Sequence, residues 1–83
     1  MLAEKFRNKN ICITGGLGFI GSAIARRLAH LANVTIIDAL IPEYGGNLYN
    51  VNDVSSKLSI KILDVREIEK VKDIIKESDY VFN

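Results

Sequence analysis

A single cysteine, Cys12, is the whole thiol content of the 83 residues, so no internal disulfide can form. It falls inside the apolar run Ile11-Cys12-Ile13, where a small buried hydrophobe is expected rather than a reactive thiol or a metal ligand. The lack of a disulfide framework suits a reducing compartment, and a cytoplasmic location is expected on that ground. Histidine is also single. His30 stands near the expected end of a helix, where it complements the dipole, and it is not read as catalytic. Neither charge sign is in excess, since 11 Lys and Arg against 10 Asp and Glu leave a formal net charge of +1. That removes the electrostatic reason to expect a nucleic acid or a membrane surface as partner. No apolar stretch is long enough for a signal-peptide core or a bilayer span. Proline occurs once, at Pro42, and with the Gly45-Gly46 pair it breaks any long element between residues 39 and 52.

What remains is a globular composition, with 48% hydrophobic and 25% charged residues. A chain of 83 residues holds one domain and one core, and is expected to be marginally stable without a ligand or a partner copy. Residues 1–9 read as a short polar lead with Leu2 and Phe6 as packing anchors. The pattern then predicts strand 10–14, buried on both faces, and a helix from Phe19 to Leu31 with Ile20, Ile24, Leu28 and Leu31 on its inner face. A second strand covers 34–38. The loop after it carries Tyr44 and Tyr49, expected to cover the core, and a helical turn at 51–56. Ser59 to Leu63 alternates as an edge strand does. A helix from Arg66 to Glu77 should turn Ile68, Val71, Ile74 and Ile75 inward, and Tyr80-Val81-Phe82 opens a fourth strand.

The stretch Thr14-Gly15-Gly16-Leu17-Gly18-Phe19-Ile20-Gly21 organises the rest. Glycines recur at every third position directly after a β-branched run, where a strand, a turn and a helix start would need them. Gly15 allows the sharp turn, Gly18 removes a side chain where a phosphate must approach, and Gly21 lets the helix pack closely on the strands. The helix start then aims its free N–H groups and positive dipole end at an anion, naturally a pyrophosphate. Glycines also gather in ordinary turns, so context decides. The apolar run Val34-Thr35-Ile36-Ile37 ends in Asp38, about twenty residues on, where a dinucleotide fold places its ribose-binding acid. A purely structural Asp38, closing a surface turn, is the competing reading.

The glycine segment, followed by Asp38 and then Asp64-Val65, resembles the extended short-chain dehydrogenase/reductases, the family that includes nucleotide-sugar epimerases and dehydratases. Its T-G-x-x-G-x-x-G pattern carries the likeness. The resemblance implies a partial Rossmann fold, a three-layer αβα unit with parallel strands in the order 3-2-1-4, and NAD as cofactor. Backbone groups of Gly15, Gly18, Phe19 and Ile20 would lie against the pyrophosphate, and Asp38 would accept from the adenosine ribose hydroxyls. Asp64 would contact the adenine amino group with Val65 packing on the ring, and Asn47 would touch the adenosine side. Asp64 also fits a helix N-cap, with Glu67 three residues on as in a capping box, and both readings stand at this point. A carboxylate at 38, with no arginine close behind it, favours NAD over NADP.

The family's Tyr-x-x-x-Lys pair is missing: Leu48 stands four residues after Tyr44, and Asp53 four after Tyr49. The chain is therefore expected to be a truncated NAD-binding domain, inactive by itself, whose nucleotide-sugar substrate belongs to a full-length parent. A non-catalytic dinucleotide-binding, regulatory or assembly module is the alternative. Tyr80, Val81 and Phe82 are expected to self-associate as an exposed edge.

Overall fold

The computed structural model describes residues 2–40, 46–64 and 66–83. Strands β1 (Asn10–Thr14), β2 (Asn33–Asp38), β3 (Leu58–Ile62) and β4 (Tyr80–Phe82) form one sheet in the order β3-β2-β1-β4. Every neighbouring pair is parallel. The expected order 3-2-1-4 is the observed one. Parallel neighbours cannot be joined by hairpins, so each connection crosses a face of the sheet. Helix α2 (Phe19–Leu28) joins β1 to β2, a kinked 3₁₀ segment (Leu48–Lys57) leads from β2 to β3, and helix α3 (Ile68–Lys76) joins β3 to β4.

Alternation along the central strands divides the core in two. Ile11, Ile13, Val34 and Ile36 pack with Leu17, Ala25, Leu28, Ala29, Val51 and Val54 on the side of α2 and the 3₁₀ segment. Cys12 and Ile37 face the other way, toward Val71 of α3, with Leu63 and Ile74 against them. Burial raises the Cys12 thiol pKa, as fits an inert core residue.

Several expected details differ. The N-terminal lead is a helix, α1 (Leu2–Phe6), and Phe6 meets Tyr80 edge-on at 5.1 Å between ring centroids and Phe82 at 6.0 Å. Tyr80 and Phe82 are thereby half-buried, while Val81 between them stays 44% exposed. Helix α2 ends at Leu28 rather than Leu31, and its buried stripe is Ser22, Ala25 and Leu28. Ile20, expected inward, is 75% exposed because the first turn of α2 projects past the carboxyl ends of the strands. In α3, Val71 is buried against the sheet, whereas Ile68 in the first turn and Ile75 in the last are exposed. Tyr49 does not cover the core and is exposed on the first turn of the 3₁₀ segment. Pro42, Tyr44, Gly45 and Val65, and the Leu2 side chain, lie outside the described residues.

Candidate functional site

The parallel strands all end on one side, and there the turn from β1 into α2 opens a groove. A cavity of about 650 Å³ is lined by Thr14, Gly15, Gly18, Ile37, Asp38, Ala39, Gly46, Asp64, Arg66 and Asn83. A second, of about 500 Å³, shares Thr14, Gly15, Gly18 and Asn83 with it and reaches along Phe19, Ile20 and Gly21. Crevices outside the carboxyl ends of parallel strands are the standard ligand position in open α/β sheets.

Steric facts explain the glycines. Gly15 has φ of +70°, a left-handed conformation that a side chain disfavours, and its N–H donates to Ile37 O at 2.8 Å, tying the turn to β2. A Cβ on Gly21 would stand 2.4 Å from Gly15 O and 2.8 Å from Gly16 Cα. The helix thus packs on the turn itself, a closer neighbour than the strands that the sequence suggested. Gly16 was assigned no role by its spacing, yet a Cβ there would reach Ile36 Cγ2 at 2.6 Å. Its signal was the paired Gly15-Gly16; the cause lies across the sheet face in β2.

Gly18 is the N-cap of α2, in extended conformation, with no side chain to cap the helix and no acid in the first turn. The N–H groups at Phe19 and Ile20 belong to the set that no helical carbonyl satisfies, and these residues line the second cavity. The arrangement suits an anion.

Asp38 ends β2 and is 8% exposed. Its Oδ2 accepts from Leu17 N–H at 2.9 Å and its Oδ1 from Leu40 N–H at 2.7 Å. Two backbone donors fix the carboxylate at the groove wall. Each carboxylate oxygen has a second lone pair, so the group can still accept from a ligand hydroxyl. The structural and the ligand-facing readings of Asp38 are compatible.

Asp64 lies in the same cavity wall, after β3. Arg66 N–H donates to its Oδ1 at 2.8 Å, and the Arg66 guanidinium grips both oxygens, with Nη2 at 2.6 Å from Oδ2. This bidentate partner holds the Asp64 pKa down at about 2. The N-cap reading of Asp64 does not hold, because α3 starts at Ile68 and its cap position is Glu67. One half of the expected capping box survives: Glu67 Oε1 accepts from Asp64 N–H at 3.3 Å. Asn47 is brought to the turn by its backbone, whose N–H donates to Leu17 O at 3.1 Å. Its side chain is spent on Tyr49 N–H at 2.9 Å and caps the 3₁₀ segment. Arg66, Leu17 and Asn50 are the neighbours that spacing rules did not single out.

The profile of the NAD dependent epimerase/dehydratase family matches residues 11–83, which take in the whole groove. The chain belongs to that family. Among its relatives is a dTDP-glucose 4,6-dehydratase of Neisseria gonorrhoeae, 32% identical over 68 residues, an alignment spanning 76% of this chain and 20% of that protein. Family structures superpose well. A UDP-N-acetylglucosamine 4-epimerase from Methanobrevibacter ruminantium M1, in complex with UDP-N-acetylmuramic acid, is 39% identical with a TM-score of 0.78, over 92% of this chain and 24% of the epimerase. A dTDP-glucose 4,6-dehydratase from Bacillus anthracis in complex with NAD is 30% identical with a TM-score of 0.75, over 88% of this chain and 25% of the dehydratase. The chain therefore spans about a fifth to a quarter of the length of these family members.

Proposed function

We propose that this chain is the N-terminal NAD-binding part of a nucleotide-sugar epimerase or dehydratase, holding the adenosine and pyrophosphate of the cofactor. The observation that carries the reading is the convergence on one groove of the uncapped α2 start, the left-handed Gly15 turn and the Asp38 carboxylate. Gly15 and Gly18 give the pyrophosphate close approach to the backbone, Phe19 and Ile20 N–H groups bind its charge, and Asp38 accepts from the ribose hydroxyls. Asp64, in the wall of the groove, would serve the adenosine end, to which the family resemblance also assigns Val65 and Asn47. NAD, when bound, supplies a hydride acceptor and donor for the nucleotide-sugar substrate of the complete enzyme. The 83 residues contain no Tyr-x-x-x-Lys pair, so their own work is binding and orientation, and the chain alone is expected to be inactive. Isothermal titration calorimetry tests this reading. NAD and ADP-ribose should bind more tightly than their 2′-phosphorylated counterparts, since Asp38 repels that phosphate; the reverse order, or no binding, contradicts it.

A second reading, self-association at β4, is favoured by the exposure of Val81 on an edge strand. Light scattering at micromolar concentration should then show an oligomer that Val81→Lys shifts toward monomer.

A further inference from the structure

The peptide planes of the glycine turn are held from outside at Leu17. This residue is fully buried, and its N–H donates to Asp38 Oδ2 at 2.9 Å. Its carbonyl accepts from Asn50 Nδ2 at 2.7 Å and from Asn47 N–H at 3.1 Å. The peptide that bears this carbonyl also bears the Gly18 N–H, which donates to Gly15 O at 3.1 Å. One peptide unit is thus gripped at its oxygen by Asn50 and Asn47 and at its nitrogen by the turn. Gly18 is the N-cap of α2, so the tilt of that unit sets the direction of the first N–H groups of the helix.

We propose that Asn50 is a positioning residue for the anion-binding turn, acting through the Leu17 carbonyl as Asp38 acts through the Leu17 N–H. The inference rests on the groove being a dinucleotide site. Asn50 is itself fastened to the helix it serves: the Arg26 guanidinium of α2 donates to the Asn50 backbone carbonyl and pairs with Asp53 at 3.4 Å. The 3₁₀ segment, which has no place in the groove wall, thereby controls the geometry of the groove. A carboxamide suits the task because it donates to a carbonyl without bringing a charge near the anion. An aspartate of the same size has no donor, and its charge would repel both the carbonyl and the phosphate.

The test uses the 83-residue chain with Asn50→Ala, Asn50→Asp and Asn50→Gln. Without ligand, amide hydrogen exchange at Leu17 and Gly18 should quicken about tenfold in the Ala and Asp variants, while Val71 in α3 is unchanged. With ligand, ADP binding should weaken about five- to tenfold, the effect of losing one hydrogen bond, whereas adenosine binding is unchanged. Gln, which keeps the donor on a longer stem, should recover part of the ADP affinity. Unchanged exchange at Leu17 and Gly18, or equal weakening of ADP and adenosine, overturns the proposal. Should Asn50→Ala fail to fold, the isosteric Asn50→Asp carries both measurements. A wild-type chain that binds neither ligand defeats the dinucleotide reading, and the exchange measurement still decides the role of Asn50.

Discussion

Two corners of one groove are built in opposite ways. At the end of β1, the glycine turn is fixed through its own backbone: Gly15 N–H donates to Ile37 O, the N–H of buried Leu17 donates to Asp38, and Gly21 packs so tightly that a Cβ there would meet Gly15 O. At the end of β3, the corner is held by side chains in solvent, with Arg66 86% exposed and paired to Asp64. Close-packed backbone contacts have almost no freedom to adjust, whereas an exposed ion pair is weak and easily rearranged. The first corner is preorganised and the second adaptable. That division fits a ligand whose charged centre must be held rigidly while its far end settles into place.

Gly21→Ala should have the largest effect, because the added methyl meets backbone oxygen rather than a movable side chain. A loss of about 3 kcal/mol is expected in urea unfolding, as for other overpacked sites. A loss near zero would mean that the turn is not rigid, and the contrast between the corners would collapse.

Asp38→Asn comes next. The carboxylate serves two backbone donors, Leu17 N–H and Leu40 N–H, with two oxygens, and an amide has only one acceptor atom. One N–H loses its partner, at a cost of about 1–2 kcal/mol in stability. NAD binding should weaken about tenfold as a charged acceptor is lost, and the preference for NAD over NADP should narrow. Calorimetry on the variant beside the wild type measures both. A variant that keeps full stability and affinity would leave Asp38 as an ordinary turn residue.

Arg66→Ala should change stability least, since the Arg66 side chain sits in solvent and Asp64 is only partly buried. Its readout is the Asp64 carboxyl, whose pKa of about 2 should rise toward the ordinary aspartate value of about 4 in an NMR titration. The sign follows from linkage: a depressed folded pKa contributes stability that is present above the ordinary aspartate range and fades as pH falls toward 2. In the variant this acid dependence should shrink, because only the backbone N–H of residue 66 still donates to Asp64 Oδ1. An unchanged Asp64 titration would show that the Arg66 pair is not formed in solution.

These contrasts mark what the sequence could reveal. The strands and the position of Asp38 were legible because apolar runs, glycines and the acid follow one another along the chain, and the order 3-2-1-4 followed from the resemblance that the glycine segment carries. The inward faces of α2 and α3 were legible only in part. Helical periodicity identifies a stripe but does not say where the sheet beneath it stops, so Ile20 and Ile68 were placed inside and are exposed. Gly16 carries no local sign of its constraint, because the atom it must avoid belongs to Ile36. The Leu17 clamp was hidden for a related reason. Its groups are backbone atoms, and Asn50 differs from Asn47 or Asn52 only in where the fold puts its amide.

The central claim is that the groove across the ends of β1 and β2 is the dinucleotide site, and amide chemical-shift mapping with ADP-ribose tests it most directly. Large shifts are expected at Gly15, Gly18, Phe19 and Ile20, a clear shift at Asp38, smaller ones around Asp64, and none along α1 or the outer face of α3. Shifts confined to α3 or to the β4 edge, with the glycine turn silent at saturating ligand, would contradict it.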